Sequence, residues 1–340
     1  MYAQESSTAD YTIRRLLPED AAGVVACVRE VYGDSYIIHT ELYHPEEIVR
    51  LNETGRLVSV VALDGRGRIV AHYALERQDL RLPAAESGEA MVLAEHRHHH
   101  LLEQMRVLLE QEAHRLGLRG IFGRTVTNHV YSQKAVERFG EKPCGVSLGR
   151  TPRTFQNMRA PLFQRMSIVF YFKYLQPEQC RPLHLPARHR AMCSSIYQQF
   201  GIAAQWQDET ATLGPGQHAV DFRPELQRAI IQVHRVGHDT MEAVRSVRRE
   251  LGGAGRAEVI YLELPLTQPG TPAVCEAAEA ERFFFSGIAP LYLTDGDALR
   301  LQYLAVELDT SLLQIANPFA RELLAYADGE RQRVGVEGSL

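Results

Sequence analysis

The heptad "HRHHHLL", residues 96–102, packs four histidines and an arginine into seven positions. An apolar run, residues 90–93, leads into it, and an amphipathic stretch beginning at Leu101 leaves it. A strand that runs into a helix offers backbone N–H groups and the positive end of the helix dipole, a pairing that suits phosphate. Glycine is the usual residue where the backbone must bend freely and approach a ligand. Imidazoles stand here instead. Three readings follow: a solvated polar loop at a helix start, a phosphate or other ligand site altered by substitution, or a metal site. Histidine adds a donor to the second, and a cation below pH ~6.5. The third is disfavoured. His96 and His100 are four apart, but a helix starting at Leu101 does not reach back to His96, and no carboxylate-rich set lies nearby, so no metal is expected.

The surrounding elements must hold this junction in place. Residues 11–15 alternate as a strand, and Pro18, Glu19 and Asp20 start a helix with proline and acids in its first turn. Val24, Cys27, Val28 and Val31 recur at helical spacing. "RLVSVVALDGRGRIVAHYALE" reads as a hairpin around "DGRG". Residues 90–93 form a further strand, with Glu89 at its start. Residues 101–116 form a long helix with Leu101, Met105, Leu108, Leu109 and Glu112 down one side. The strand "LRGIFGRTVT" and the short helix "SQKAVERFG" follow, with Gly140 at the helix end.

The polar segment "GRTPRTFQNMRAP" carries two prolines and reads as a crossing, which sets two domains, 1–153 and 154–340. The second half offers the strand "RMSIVFYFKYL" and the helices "PARHRAMCSSIYQQFG" and "DTMEAVRSVRREL". Then come a strand "AEVIYLELPL", a helix "PAVCEAAEAERFF" and two more strands. The helix–strand–helix–strand order from Asp239 repeats the order from Leu101, which favours an internal duplication.

A chain of 340 residues, 45% hydrophobic and 23% charged, is ordinary globular composition with room for about two domains. The net charge of −5 and the lack of a basic run argue against a nucleic-acid partner. The five cysteines are scattered and form no CxxC pair, so neither a disulfide framework nor a structural zinc knuckle is expected. No secretory leader is read at the start, and no apolar run reaches membrane-span length. A cytoplasmic protein with no membrane partner is the expectation.

On these quoted stretches, residues 11–149 resemble the GNAT acyltransferase superfamily. "YTIRRLLPEDAAGVVACVREVYG" is similar to its opening strand and helix, and "VVALDGRGRIVAHYAL" to its central hairpin. "EAMVLAEHRHHHLLEQMRVLLEQEAHRLGLRGIFGRTVTNH" resembles its strand, pyrophosphate loop and long helix. "SQKAVERFGEKPCG" resembles its closing helix and strand. Residues 165–308 resemble a degenerate second copy. The implied fold class is α/β (α+β): two tandem GNAT-like domains, each a mixed, mostly antiparallel sheet flanked by helices.

The resemblance implies acyl transfer from acetyl-CoA, or another acyl-CoA or carrier thioester, to a small-molecule amine. It places the backbone of Val92 and Leu93 along pantetheine, and Arg97, His98, His99, His100, Leu101 and Leu102 around the pyrophosphate. Arg97 matches the first position of the family's loop pattern, Arg/Gln-x-x-Gly-x-Gly/Ala. His100 and Leu102 occupy its small-residue positions. Asn128 matches an asparagine that contacts the cofactor arm or caps the next helix.

Such chemistry needs a neutral amine and a protonated leaving thiolate. Glu89 is the base candidate, with an exposed strand-end carboxylate as the alternative. The family's acid tyrosine falls on Val136, so Tyr131 is the substitute acid, with a packed aromatic as the alternative. Ser132 reads as a helix cap and Cys144 as packing. In the second half, His234, His238 and Asp239 read as a polar cluster with Asp239 an N-cap. Two rival functions remain at this point: a GNAT-fold enzyme repurposed for chemistry without acetyl-CoA, and a non-catalytic ligand-sensing or partner-binding protein. A homodimer is a further possibility.

Overall fold

The chain, seen in a computed structural model, is described at residues 6–8, 11–34, 36, 39–153, 164–176, 180–209, 211–253 and 255–337. Most of the expected crossing segment, 154–161, lies outside these. The chain divides into two compact units. The first runs through Gly123. The second takes in Arg124–Arg153 and the described residues from 164 onward.

In the first unit the elements are β1 (Ser6–Thr8), β2 (Tyr11–Arg15), α1 (Ala21–Tyr32), α2 (Pro45–Glu53), β3 (Leu57–Asp64), β4 (Ile69–Glu76), β5 (Ala84–Val92), α3 (Leu101–Arg115) and β6 (Gly120–Val126), the last of which crosses the division. Strand order is β1-β2-β3-β4-β5-β6. All neighbours are antiparallel except β5 and β6, which run parallel as a helical crossover requires. The "DGRG" turn forms as expected, with Asp64 Oδ1 accepting from the backbone N–H groups of Arg66 and Arg68, each at 2.9 Å. Successive residues Leu57, Val58, Ser59, Val60, Val61 and Ala62 are all buried, so both faces of β3 are covered. α2 and α3 pack on β3 and α1 on β4, with Val24, Val28, Ile48, Met105, Leu109 and Ala113 turned inward.

The second unit holds α4 (Tyr131–Arg138), β7 (Lys142–Thr151), β8 (Met166–Tyr174), β9 (Cys180–Leu183), α5 (Ala187–Gln199), β10 (Ala203–Trp206), β11 (Gln217–Arg223), β12 (Arg228–Arg235), α6 (Thr240–Val247), β13 (Val259–Pro265), α7 (Thr271–Ala280), β14 (Phe284–Leu293), β15 (Gly296–Leu304) and α8 (Pro318–Glu337). Its strands are ordered β8-β7-β14-β15-β13-β12-β11, with β9 and β10 a separate parallel pair. β7 belongs here because its ladder partners, β8 and β14, do. Compactness thus divides the chain earlier than the composition change at 153/154. α5, α7 and α8 pack on the sheet, and α8 seats Ala320 against Val136, Val169, Tyr171 and Ile315.

The fold class is the expected one, α/β with mixed, mostly antiparallel sheet flanked by helices. Each unit also repeats one topological phrase. An antiparallel pair, β4–β5 or β11–β12, is followed by a helix, α3 or α6, and then by a strand parallel to the last, β6 or β13. Asp239 is the N-cap residue of α6, but its carboxylate accepts from Gly216 N–H at 2.6 Å instead of capping the helix.

Candidate functional site

β5 begins at Ala84, so Glu89 lies inside the strand and not at its start. The ladder to β4 pairs Gly88 with Ala74 and Met91 with His72, which leaves Glu89 and Ala90 opposite Tyr73 as a bulge. A bulge re-aims a side chain. Glu89 takes φ 56, a left-handed conformation costly for a residue with a Cβ. His72 secures it: its Nδ1–H donates to the Glu89 carbonyl at 3.1 Å, while its Nε2 accepts from Ser59 Oγ at 3.0 Å. Burial pushes His72 down to about 4, so the ring stays neutral and keeps that tautomer.

The Glu89 side chain is only 1% exposed, and neither carboxylate oxygen has a hydrogen-bond partner among the described residues. Burial pushes its carboxyl up to about 8. His39 Nδ1 stands 3.5 Å from Glu89 Oε1 and 3.0 Å from Glu41 Oε1. Burial opposes charge on His39, yet the Glu41 hydrogen bond and the Glu89 and Glu76 charges lift it to about 9. Ligand-type atoms of His39, Glu76 and Glu89 all lie within 4.8 Å of one another. Tyr36 packs on His39 with ring centroids 5.2 Å apart, and Tyr32 stacks on Tyr36 at 4.2 Å. A carboxyl in this setting titrates near neutrality and can take a proton from an amine or a water. His39, Glu76, Tyr32, Tyr36 and His72 were not singled out in the sequence. Tyr32, Tyr36 and His39 share one local signal, the aromatic and acidic crowding of "VYGDSYIIHTELYHPEE", whereas His72 and Glu76 lie within the hairpin strand β4.

Beyond Glu86, β5 has no pairing with β6; the register covers Ala84, Ala85 and Glu86 only. Val92 pairs with Ala71 of β4, and its carbonyl accepts from Arg97 Nε at 3.4 Å. Leu93 lies past the strand. Its N–H donates to Val70 at 2.9 Å, its carbonyl accepts from His96 N–H at 3.0 Å, and its side chain is buried, so its backbone is already engaged.

The histidine loop keeps a glycine-like path without glycine. His98 has φ 72 and His100 has φ 55. Both sit in the region that strongly favours glycine. His100 is the N-cap residue of α3, and Leu101, Leu102 and Glu103 form its first turn, whose N–H groups have no intrahelical acceptor. Arg97, His98, His99 and His100 are exposed, Leu101 is buried and Leu102 is half-buried. His96 serves structure: its Nδ1 is 3.0 Å from Tyr11 Oη, and Tyr11 also packs on His99 at 5.2 Å. The loop is thereby tied to β2.

Asn128, His129 and Tyr131 belong to the second unit. Tyr131 is the first residue of α4, not part of the preceding strand, and is 78% exposed. The N-cap residue is Val130, so neither Asn128 nor Ser132 caps the helix. Gln133 organises the turn instead. Its Nε2 donates to the carbonyls of Val126, His129 and Gln314, and its Oε1 accepts from Ala316 N–H. Asn128 is half-buried two residues past β6. Cys144 is fully buried, donates to the Phe170 carbonyl at 3.4 Å and is pushed far up by burial, which fits packing.

These units define α/β folds built around a crossover from one parallel strand to the next. About half of the chain is similar to solved acetyltransferase structures. An N-acetyltransferase from Staphylococcus aureus Mu50 shares 18% identity over 49% of this chain and 100% of its own, with TM-score 0.41. A GNAT superfamily phosphinothricin acetyltransferase from Sinorhizobium meliloti, solved with AcCoA, shares 19% over 48% and 88%, with TM-score 0.39. The ribosomal-protein-S5-alanine acetyltransferase of Vibrio fischeri shares 12% over 51% and 97%, with TM-score 0.39. The superfamily named for the Sinorhizobium meliloti structure is the one that the residues resemble. No family profile matches the sequence, and no curated protein does. Among the described residues no helix is long and apolar enough to cross a membrane.

Proposed function

We propose that this protein transfers an acyl group, in the first instance acetyl, from CoA or a carrier thioester to a small-molecule amine. The observation that carries the reading is Glu89: a buried carboxylate, displaced from its ladder by a bulge, on the strand that leads into the histidine loop. Its unprotonated form takes the ammonium proton of the acceptor, directly or through a water. The neutral amine then attacks the thioester carbonyl, and the C–S bond breaks. The departing thiolate takes a proton, with Tyr131 the acid read from the sequence, and the acylated nitrogen gives up its extra proton in return. The Val92 end of β5 and Leu93 would follow the pantetheine arm. Arg97, His98, His99, His100, Leu101 and Leu102 would surround the pyrophosphate. The left-handed His98 and His100 support this assignment, since they keep the bend that glycine usually provides. The tandem halves, 1–153 and 154–340, are read as an acyltransferase-like copy and a degenerate copy, acting in the cytoplasm.

Calorimetric titration with acetyl-CoA and CoA, followed by turnover over a panel of amines, tests this. Binding on the order of micromolar with turnover supports it. Glu89→Gln should lower kcat by ~10²–10⁴ while leaving cofactor affinity intact. The wild-type rate should rise with pH through about 8, as Glu89 loses its proton. Binding without turnover of any amine would favour a ligand-sensing protein.

A further inference from the structure

We propose that His189, Cys275 and Glu279 of the second unit form a binding site for a divalent metal ion of the zinc class. His189 comes from α5, and Cys275 and Glu279 come from α7, four residues apart and so on one face of that helix. Their ligand atoms lie within 4.8 Å of one another, and all three residues are buried. Imidazole nitrogen, thiol sulfur and carboxylate oxygen together are a zinc donor set; magnesium and calcium take oxygen.

The outer contacts already aim the ligands. Tyr326 Oη lies 2.7 Å from His189 Nδ1 and donates its own hydrogen to the Arg188 carbonyl at 3.2 Å. Its lone pairs therefore face a protonated Nδ1, which leaves Nε2 as the metal-binding atom. Glu279 Oε2 pairs with Arg333 at 2.7 Å, which leaves Oε1. Nε2 and Oε1 are 2.6 Å apart, and Cys275 Sγ is 4.0 Å from Oε1. With Nδ1 protonated toward Tyr326, the Nε2 and Oε1 lone pairs need a cation between them. A proton fills that place when the ion is absent. The ion takes that place and displaces the Cys275 thiol proton, so binding releases protons.

A cavity of about 430 Å³, lined by Arg188, Glu276, Glu279 and Arg333 among others, gives a path to Glu279. Three protein ligands leave a fourth position for water from that side.

The test uses the full chain, stripped with chelator and titrated with Co²⁺ and then Zn²⁺. The expected result is one ion per chain, with a sulfur-to-cobalt charge-transfer band that zinc abolishes and with proton release measurable by calorimetry in two buffers. Cys275→Ala should remove the band, whereas Cys27→Ala, in the first unit, should keep it. Glu279→Gln should keep the band but weaken binding at least ~10-fold, the scale seen when a metal site loses a supporting group. Zinc should raise the melting midpoint of the wild type and not of Cys275→Ala. No thiolate band, or a band that survives Cys275→Ala, overturns the proposal and leaves a buried hydrogen-bonded ion pair.

Discussion

His72 holds Glu89 by its backbone, not by its carboxylate: the imidazole Nδ1–H donates to the Glu89 carbonyl at 3.1 Å, across the bulge in β5. The bond fixes a left-handed residue at the one place where the strand must turn a carboxylate out of its ladder. His72→Leu would leave that buried carbonyl without its donor. Ser59 would keep the bond it accepts from Asn52 Nδ2 at 3.1 Å but lose the acceptor of its hydroxyl hydrogen, so the loss falls on both Glu89 and Ser59. The expected cost is about 1–3 kcal/mol in denaturant unfolding, with kcat falling alongside it. An unchanged midpoint would mean that the bulge holds itself.

The same cluster sets a pH dependence of stability. Glu89 is raised from 4.5 to about 8 and His39 from 6.5 to about 9. Both groups hold their protons more tightly folded than unfolded, so the folded state binds more protons between these values. Their stabilising contribution is complete below the unfolded values and is lost as pH rises through about 8 and then about 9. Unfolding midpoints should therefore fall between pH 6 and pH 9.5. In Glu89→Gln the fall should be smaller. A midpoint that rises over this interval would show the carboxylate ionised and well paired at neutral pH.

His98 and His100 carry the conformational cost of the loop. A left-handed residue with a Cβ costs roughly 1–2 kcal/mol, against ~0.5–1 kcal/mol of extra chain entropy for glycine. His98→Gly and His100→Gly should each stabilise the protein by about 0.5–1 kcal/mol and bind acetyl-CoA at least as tightly as the wild type. Tighter unfolding but weaker binding would assign the imidazoles, and not only the backbone, to the ligand.

Much of the frame was legible because its signals are local. The "DGRG" hairpin, the strand into the loop and the long helix from Leu101 follow from turn chemistry and spacing. Glu89 could be picked by type and place, but its burial could not. His39, which faces it, is separated from it by α2, β3 and β4. The bulge was invisible because one extra residue in a short apolar run leaves no trace in its alternation. α8 leaves little signal in the sequence: Gly329 and Gly335 interrupt its helical propensity, and packing on β7 and β14 supplies what the sequence lacks. Prolines and polarity mark a boundary near Arg153, whereas β7 finds its partners in strands that come later in the chain.

One glycine pair shows how position decides the sign of a single substitution. Gly287 of β14 faces Gly145 of β7. A Cβ on Gly287 would lie 2.3 Å from Gly145 Cα and 2.5 Å from the Cys144 carbonyl oxygen, and its φ is 131. The close approach lets side chains lock the two strands to their neighbours. Ser286 Oγ donates to the Val146 carbonyl at 2.7 Å, and Gln302 receives Leu148 N–H at 3.0 Å and donates to its carbonyl at 2.5 Å. Gly287→Ala must push the strands apart and loosen these bonds. The overlap alone costs roughly 1–3 kcal/mol, and each lost bond adds about 1 kcal/mol. Gly329→Ala, in α8 with nothing within 4 Å of the added carbon, should instead stabilise by ~0.5–1 kcal/mol, because alanine gives up less chain entropy in a helix. Unfolding curves of the two variants should move in opposite directions. If both moved the same way, close backbone approach would not be what holds β7 against β14.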